Sequence, residues 1–136
     1  QKIKRIYSKR IQGLPEDIKA SKNLYNRFRK ELDDYVIQLL SQKQDIKPGV
    51  AAIAQRLHVT PNYLNGKVKE VTGKPASVHI QDKLLLEAKS FLLHTNLQVA
   101  EIATKLGFEN ITYFNRFFKK NSKITPSEFR KQLAKK

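Results

Sequence analysis

The sequence predicts an all-α fold of about seven helices, in which a long connector helix joins two helix-turn-helix subdomains. Apolar residues recur at helical spacing, glycine and proline interrupt that spacing at short intervals, and one helix-turn-helix pattern occurs twice. We therefore divide the chain into a basic interdomain linker at residues 1–22, a first subdomain with the connector at 23–95, and a second subdomain at 96–136.

The linker carries seven lysines and arginines against two acidic residues. Gly13, Pro15 and Ser21 are expected to interrupt any long helix in this stretch. A solvated tail and an arm that touches a nucleic-acid backbone are equally good interpretations of its charge.

The first long helix should begin at Ser21 or Asn23, either of which can cap it, and should run to about Gln44. Apolar residues form a stripe along it from Leu24 to Leu40, which predicts a helix that packs against the core. Pro48-Gly49 then breaks the chain before the next element.

The first helix-turn-helix pattern lies between Val50 and Lys69. We interpret His58 as its turn residue rather than a ligand or a base, because His tolerates positive φ better than most residues. Thr60-Pro61 then starts a helix with a capping hydroxyl and a preset φ angle. That helix is expected to expose Asn62, Asn65, Lys67 and Lys69. It is expected to bury Leu64, Val68 and Tyr63.

Gly66 lies in the middle of that helix and costs about 1 kcal/mol of helix stability relative to Ala. It is either a weak point of the helix, the interpretation that we favour slightly, or a place where the backbone comes close to a nucleic acid. After Gly73, Pro75 begins the connector, which should run to about His94. Its expected buried side consists of Ile80, Leu84, Leu85, Ala88, Phe91 and Leu92.

The second helix-turn-helix pattern, from Val99 to Lys120, is the clearer of the two. Four apolar residues share one face of its short first helix, Gly107 supplies a left-handed exit, and Asn110 can cap the second helix. The second helix should turn Phe114, Phe117 and Phe118 inward. It should leave Thr112, Asn115, Arg116, Lys119 and Lys120 on its outer face. This combination is the design by which helix-turn-helix proteins enter a DNA major groove.

The two patterns match residue by residue over much of their length. The segment from Val50 to Leu57 reads VAAIAQRL, and that from Val99 to Leu106 reads VAEIATKL. Further on, Thr60 aligns with Asn110, and the second copy holds one extra residue in its turn. Two copies indicate tandem subdomains rather than a solenoid. A last helix should begin at Thr125-Pro126, where Glu128 completes a capping box.

From Leu24 to Lys136 the chain resembles the DNA-binding domain of the AraC/XylS family of bacterial transcription regulators. The motifs that carry the resemblance are Ile102-Ala103, Gly107-Phe108, the run from Tyr113 to Lys120, and the run from Thr125 to Arg130. Two positions depart from the family pattern, since Lys123 stands where the family usually has Gly and Gly66 where it usually has Arg.

The resemblance implies that the connector sets the distance and angle between the two motifs. It also implies a larger protein with an effector-sensing or dimerising N-terminal domain, which binds paired DNA sites as a dimer and recruits or blocks RNA polymerase. The absence of Met agrees with a fragment or processed chain that lacks an N-terminal portion.

Composition points to the same class of partner. The net charge is +15, from 27 Lys and Arg against 12 Asp and Glu, and a domain this basic usually meets a nucleic acid. No apolar run is long enough to span a membrane. The absence of Cys removes disulfides and thiolate ligands and fits a cytoplasmic protein. Three scattered His form no metal set, and no catalytic arrangement or cofactor motif occurs, so we predict no enzyme.

We predict recognition of double-stranded DNA without bond making. Arg116 can donate two bonds to guanine, and Asn62, Asn65 and Asn115 can do the same for adenine. The lysines suit phosphate contacts. The full predicted DNA-binding set is Thr60, Asn62, Asn65, Lys67, Lys69, Thr112, Asn115, Arg116, Lys119 and Lys120.

The main alternative is a non-specific nucleoid or RNA-binding protein, which shares the charge but does not need two capped recognition helices. A DNA-repair enzyme that transfers alkyl groups would need an acceptor Cys, and the chain has none. A protein-binding helical domain would explain the repeat but not the charge.

Overall fold

The computed structural model describes residues 14–41 and 49–134, and within these ranges the chain forms seven α-helices and no strand. In chain order they are α1 (Leu14–Leu40), α2 (Val50–Arg56), α3 (Pro61–Thr72), α4 (Ala76–His94), α5 (Val99–Lys105), α6 (Ile111–Ser122) and α7 (Pro126–Ala134). Helices α2 and α3 form the first helix-turn-helix motif, α5 and α6 form the second, and α4 is the connector. The predicted all-α fold is therefore confirmed.

Helix α1 begins at Leu14, so the predicted helix start at Ser21 or Asn23 is wrong. Pro15 is the second residue of the helix, where the N–H that proline lacks has no intrahelical partner in any case. Ser21 is buried, and its hydroxyl donates to Oε1 of Glu70 on α3 at 2.7 Å. Pro15 and Ser21, two of the three residues that we expected to interrupt a helix, thus lie within one continuous helix.

Residues 14–22, which we assigned to the linker, therefore belong to α1. The remainder of the predicted linker, residues 1–13, lies outside the described residues. So do Gln44, the predicted helix end, and Pro48, while the helix itself ends at Leu40.

Helix α1 supplies one side of the first core and packs on α2 and α3. Its buried residues are Leu24, Phe28, Leu32, Tyr35, Val36 and Leu39. From the motif itself Ile53, Ala54, Leu57, Leu64 and Val68 are buried. Burial raises the pKa of Tyr35 to about 12, so its phenol stays protonated at neutral pH. The first motif is thus supported along its length by a 27-residue helix.

The second subdomain contributes fewer residues to the hydrophobic core than the first, and a larger share of them is aromatic. Its buried residues are Ile102, Ala103, Leu106, Phe114, Phe118 and Pro126. Phe108, from the turn, places its ring centroid 5.2 Å from that of Phe114 and 5.1 Å from that of Phe117. Phe118 lies 5.6 Å from Phe129 of α7 in an edge-to-face arrangement. These ring contacts lie within the range that adds stability beyond simple area burial.

The connector α4 ends at His94 as predicted. It buries Ala76, Ile80, Leu84, Ala88 and Leu92 along one face, and it contacts elements of both subdomains. Leu85 and Phe91 are only partly buried against the same core. The two motifs are therefore joined through a shared rigid element.

Helix α7 begins with the predicted capping box. The N–H of Glu128 donates to Oγ1 of Thr125 at 3.1 Å, and the N–H of Thr125 donates to Oε1 of Glu128 at 2.9 Å. Hydrogen bonds to the Glu128 carboxyl from the backbone and then the side chain of Thr125 hold the pKa of that carboxyl below its usual range. The start of α7 is thus fixed next to the end of α6.

Arg130 on α7 fastens the end of the connector to the second subdomain. Its guanidinium donates to the backbone oxygens of Leu97 at 2.6 Å and Thr95 at 3.0 Å. It also donates to those of Leu92 at 3.2 Å and Phe91 at 3.4 Å. We call this set of four hydrogen bonds the Arg130 clamp. Its acceptors are two carbonyl groups in the last turn of α4 and two in the segment that follows the helix.

Both helix-turn-helix turns use a residue in the left-handed conformation. The φ angle is 60° at His58 and 84° at Gly107, so the interpretation of His58 as a turn residue is confirmed. The next N–H then reaches back to the preceding helix in each copy, from Val59 to the Ala54 oxygen and from Phe108 to the Ala103 oxygen, both at 3.0 Å. The extra residue of the second copy comes after this shared turn.

Candidate nucleic-acid interface

The second helix of each motif has the same pattern of exposure. Both α3 and α6 are 12 residues long. Each buries two side chains four residues apart, Leu64 and Val68 in α3 and Phe114 and Phe118 in α6. The residues around them follow the same order of exposed and half-buried positions in both copies. The repeat seen in the sequence is therefore a repeat of surfaces as well as of cores.

The second helix of each motif, α3 or α6, is called the recognition helix from here on, and each is capped as the sequence predicts. Thr60 Oγ1 accepts the N–H of Tyr63 at 3.1 Å, and Asn110 Oδ1 accepts the N–H of Tyr113 at 3.0 Å. The remaining N–H groups of the first turn point away from the helix body, and such helix starts attract phosphate. Thr60 itself is exposed at this position.

Helix α6 presents a uniformly basic outer face. Thr112, Arg116 and Lys119 are exposed and follow one another at i, i+4 and i+7, which places them on one face. Lys120 is exposed beside them, and Asn115 is half-buried. The helix contains no acidic residue, so nothing on it neutralises this charge.

Helix α3 presents a weaker charge. Asn62 and Lys69 are exposed, but Lys67 is partly buried and its Nζ lies 3.5 Å from Oε1 of Glu70. The hydrogen bond from Ser21 and the charge of Lys67 hold the pKa of Glu70 below its usual range. The carboxylate therefore stays ionised at neutral pH and offsets part of the charge of this face.

Comparison with known proteins fits this geometry. The sequence pattern of a protein family described as a helix-turn-helix domain matches residues 53–132 of the chain. The chain belongs to this family, in its AraC-type branch. The resemblance noted from the motifs is therefore confirmed.

A Bacillus subtilis protein described as the uncharacterized HTH-type transcriptional regulator YtdP is 35% identical over 103 residues, which cover 76% of this chain. The match spans only 13% of that protein's length. The chain therefore spans only a small part of the length of this relative.

Solved structures repeat the fold. The C-terminal domain of the two-component response regulator yesN from Fusobacterium nucleatum is 28% identical, with a TM-score of 0.57 over 72% of this chain and 96% of that domain. The DNA-binding domain of AdpA, solved in complex with a target DNA, has a TM-score of 0.62 over 77% of this chain and 90% of that one. At 17% identity the second likeness shows the fold alone.

One residue that we predicted to contact a base, Asn65, is hydrogen-bonded within the protein. Asn65 is half-buried, and its Oδ1 accepts the N–H of Ser77 in the first turn of α4 at 2.9 Å. Reading adenine requires both the oxygen and the nitrogen of the amide. Asn65 therefore anchors the connector to the recognition helix. The equivalent Asn115 makes no hydrogen bond through its side chain within residues 14–41 and 49–134.

The prediction that Tyr63 is buried is wrong. Tyr63 and its counterpart Tyr113 are each 50% exposed. Both are the third residue of their helix, next to the first buried position and facing partly outward. The two tyrosines align in the repeat, so their outward position is shared by both copies.

The two departures from the usual AraC-type pattern have different surroundings. Lys123 ends α6 with a φ angle of 73°, a left-handed conformation that favours glycine, and Gly73 holds the equivalent end of α3 at 86°. At Gly66 an added Cβ would meet nothing within 4 Å. The chain itself therefore does not require glycine at position 66.

Two further observations concern residues 14–41 and 49–134. Among those residues, no group of three or more His, Cys, Asp and Glu side chains could hold a metal ion. No described helix is both long and apolar enough to cross a membrane.

Proposed function

We propose that this chain is the sequence-specific DNA-binding part of a larger bacterial transcription regulator, which places α3 and α6 in two successive major-groove segments. The observation that carries the proposal is the repeated exposure pattern of these two capped helices, joined by one connector. The net charge of +15 supports it, because phosphate neutralisation supplies most of the affinity for DNA. We keep the proposed second subdomain at residues 96–136 and extend the proposed first one, predicted at 23–95, to include the start of α1 at Leu14.

Base reading falls mainly to the second motif. Arg116 is exposed on a helix without acidic residues and can donate two hydrogen bonds to guanine O6 and N7. Thr112 and Asn115 on α6 and Asn62 on α3 complete the proposed base readers. The proposed backbone contacts are Thr60, Lys67, Lys69, Lys119 and Lys120. Asn65 leaves the base-reading set because its oxygen is engaged with the connector.

The DNA site should be asymmetric. The outer faces of α3 and α6 differ, with Asn62 and Gly66 in one and Thr112 and Arg116 in the other at equivalent positions. Two different readers on one connector recognise two different half-sites about one helical turn apart. One chain should therefore prefer an asymmetric DNA sequence rather than a palindrome.

The whole protein is proposed by analogy with its longer relatives. We propose an N-terminal domain that senses an effector or dimerises, contact with RNA polymerase, and a cytoplasmic location where the chromosome is accessible. We propose no catalytic step and no cofactor for this chain. That proposal rests on the absence of Cys and of any catalytic motif in the sequence.

Selection of bound sequences from random duplex DNA tests the proposal. We expect an asymmetric consensus with two half-sites, and competition by random duplex should be weak. If every duplex, or RNA, competed equally well, the non-specific nucleoid or RNA-binding alternative would replace the proposal.

Arg116→Ala should weaken binding to the selected site by about 1–3 kcal/mol and relax the preference at one base position, because a bidentate base contact is lost. Binding titrations on single-base variants measure this. Lys119→Ala is the matched control, since it should weaken binding to all sequences equally and lower the salt slope by about one unit. A uniform loss with Arg116→Ala would make Arg116 a phosphate contact instead.

A further inference from the structure

Each recognition helix carries a half-exposed tyrosine with a cation over its ring. Arg116 Cζ lies 6.0 Å from the centroid of the Tyr113 ring, and Lys67 Nζ lies 5.6 Å from that of Tyr63. Both tyrosines are 50% exposed, so the pairs lie at the surface that we propose faces DNA. These are the distances at which a cation is attracted by the negative face of an aromatic ring.

The pairing is repeated although the cation comes from a different position in each copy. Arg116 aligns with Gly66, and Lys67 aligns with Phe117. In α6 the cation follows the tyrosine at i+3, and in α3 it follows at i+4, both of which lie over residue i on a helix. A cation therefore lies over the tyrosine ring in both helices, although it comes from a different helix position in each.

A neutral ring can restrain a DNA-binding cation better than a carboxylate can, because the ring does not neutralise the charge. An ion pair would restrain the cation but offset its charge, as Glu70 does for Lys67. A ring restrains a long side chain and leaves its full charge available for a base or a phosphate. Restraint before binding reduces the side-chain entropy lost when the complex forms. Helix α6 therefore holds Arg116 without an acidic neighbour on the same helix.

We propose that Tyr113 is a positioning residue, which holds Arg116 along the outer face of α6 before DNA arrives, and that Tyr63 does the same for Lys67. The proposal rests on the proposed function, because it concerns how that DNA surface is ordered. Its specific content is that the ring acts through the cation, whereas the phenolic hydroxyl need not touch DNA.

A double-mutant cycle between Tyr113 and Arg116 tests it on the selected DNA site. Tyr113→Leu should weaken binding about threefold to fivefold and blur the base preference that Arg116 provides, which is the size expected of an exposed cation–ring contact. Tyr113→Phe keeps the ring and should bind like the unmodified chain. In an Arg116→Ala background, Tyr113→Leu should have no further effect, because the group that it positions is gone.

Tyr63→Leu is the matched control in the other helix. It should leave the base preference at the Arg116 position unchanged, and thermal melting should show all variants folded. Equal losses with Tyr113→Phe and Tyr113→Leu would show that the hydroxyl binds DNA directly and would overturn the proposal, as would additive losses in the cycle. Failure of the proposed function would look different. The unmodified chain would then show no sequence preference in the selection from random duplex DNA, which would contradict both the proposed function and the role of Tyr113.

Discussion

The two subdomains share a backbone design but place their unfavourable residues at opposite ends of it. In the first, His58 adopts the left-handed conformation at the turn, while Gly73 ends the recognition helix. In the second, Gly107 serves the turn, while Lys123 ends the helix. A non-glycine residue in this conformation costs about 1–2 kcal/mol. The fold therefore requires the left-handed geometry at both places, and each copy meets that requirement with glycine only once.

The two copies also differ in support and in charge. The first motif lies against the 27-residue helix α1 and has a recognition helix that contains Glu70 and Gly66. The second contributes fewer residues to the core, is fastened by the Arg130 clamp, and has a recognition helix with three cations and no acid. The two recognition helices therefore differ in the support behind them and in the charge that they expose.

The largest expected effect comes from breaking the support of the second subdomain. Arg130→Ala should lower the free energy of unfolding by about 2–4 kcal/mol, because four backbone oxygens lose charged donors. Urea denaturation measures this. Arg130→Lys should recover only part of the loss, since one ammonium cannot reproduce the planar fork. If Arg130→Ala cost no more than alanine at the exposed neighbour Lys131, the clamp would be incidental.

The next effect concerns the difference between the recognition helices. Gly66→Arg should tighten DNA binding about threefold to tenfold and add a base preference in the first half-site, because the space around Gly66 is open and Arg stands at this place in α6. Gly66→Ala is the control, with a gain of up to about 1 kcal/mol in stability and unchanged binding. Weaker binding by Gly66→Ala would instead favour the interpretation that the backbone approaches DNA there.

The smallest effect comes from exchanging the helix-end residues. Lys123→Gly should raise the free energy of unfolding by about 1 kcal/mol, and Gly73→Lys should lower it by a similar amount. The cost at Gly73 would come from its φ angle alone, since an added Cβ meets nothing within 4 Å. The double variant should unfold close to the unmodified chain in urea. Two changes of the same sign would refute the equivalence of the two helix ends.

Features determined by nearby residues could be predicted from the sequence. The caps at Thr60 and Asn110, the capping box of Glu128 and the turn at His58 each depend on groups only a few residues apart. The internal repeat also showed that the two motifs should fold alike, because their apolar residues occupy equivalent positions.

Features that depend on distant partners could not be predicted in this way. Ser21 looked like a helix breaker because its acceptor, Glu70, lies 49 residues away. The hydrogen bond that Asn65 accepts from Ser77 could not be predicted, because the donor belongs to the next helix. In both cases the acceptor or donor lies on another helix, so the local pattern could not reveal it. Tyr63 is a different case, because its partner Lys67 is only four residues away, and what the sequence did not show is that the ring is half exposed.

The clamp also bears on how the protein is made. Every one of its hydrogen bonds joins groups that are 33 to 39 residues apart, and Arg130 is translated after all of its acceptors. While the chain emerges from the ribosome, α1, α2 and α3 can pack together before Arg130 is available to the carbonyl groups at the end of the connector. Nascent molecules should therefore pass through a stage in which only the first helix-turn-helix motif is folded. Binding that needs both motifs should appear only after the last residues have been translated.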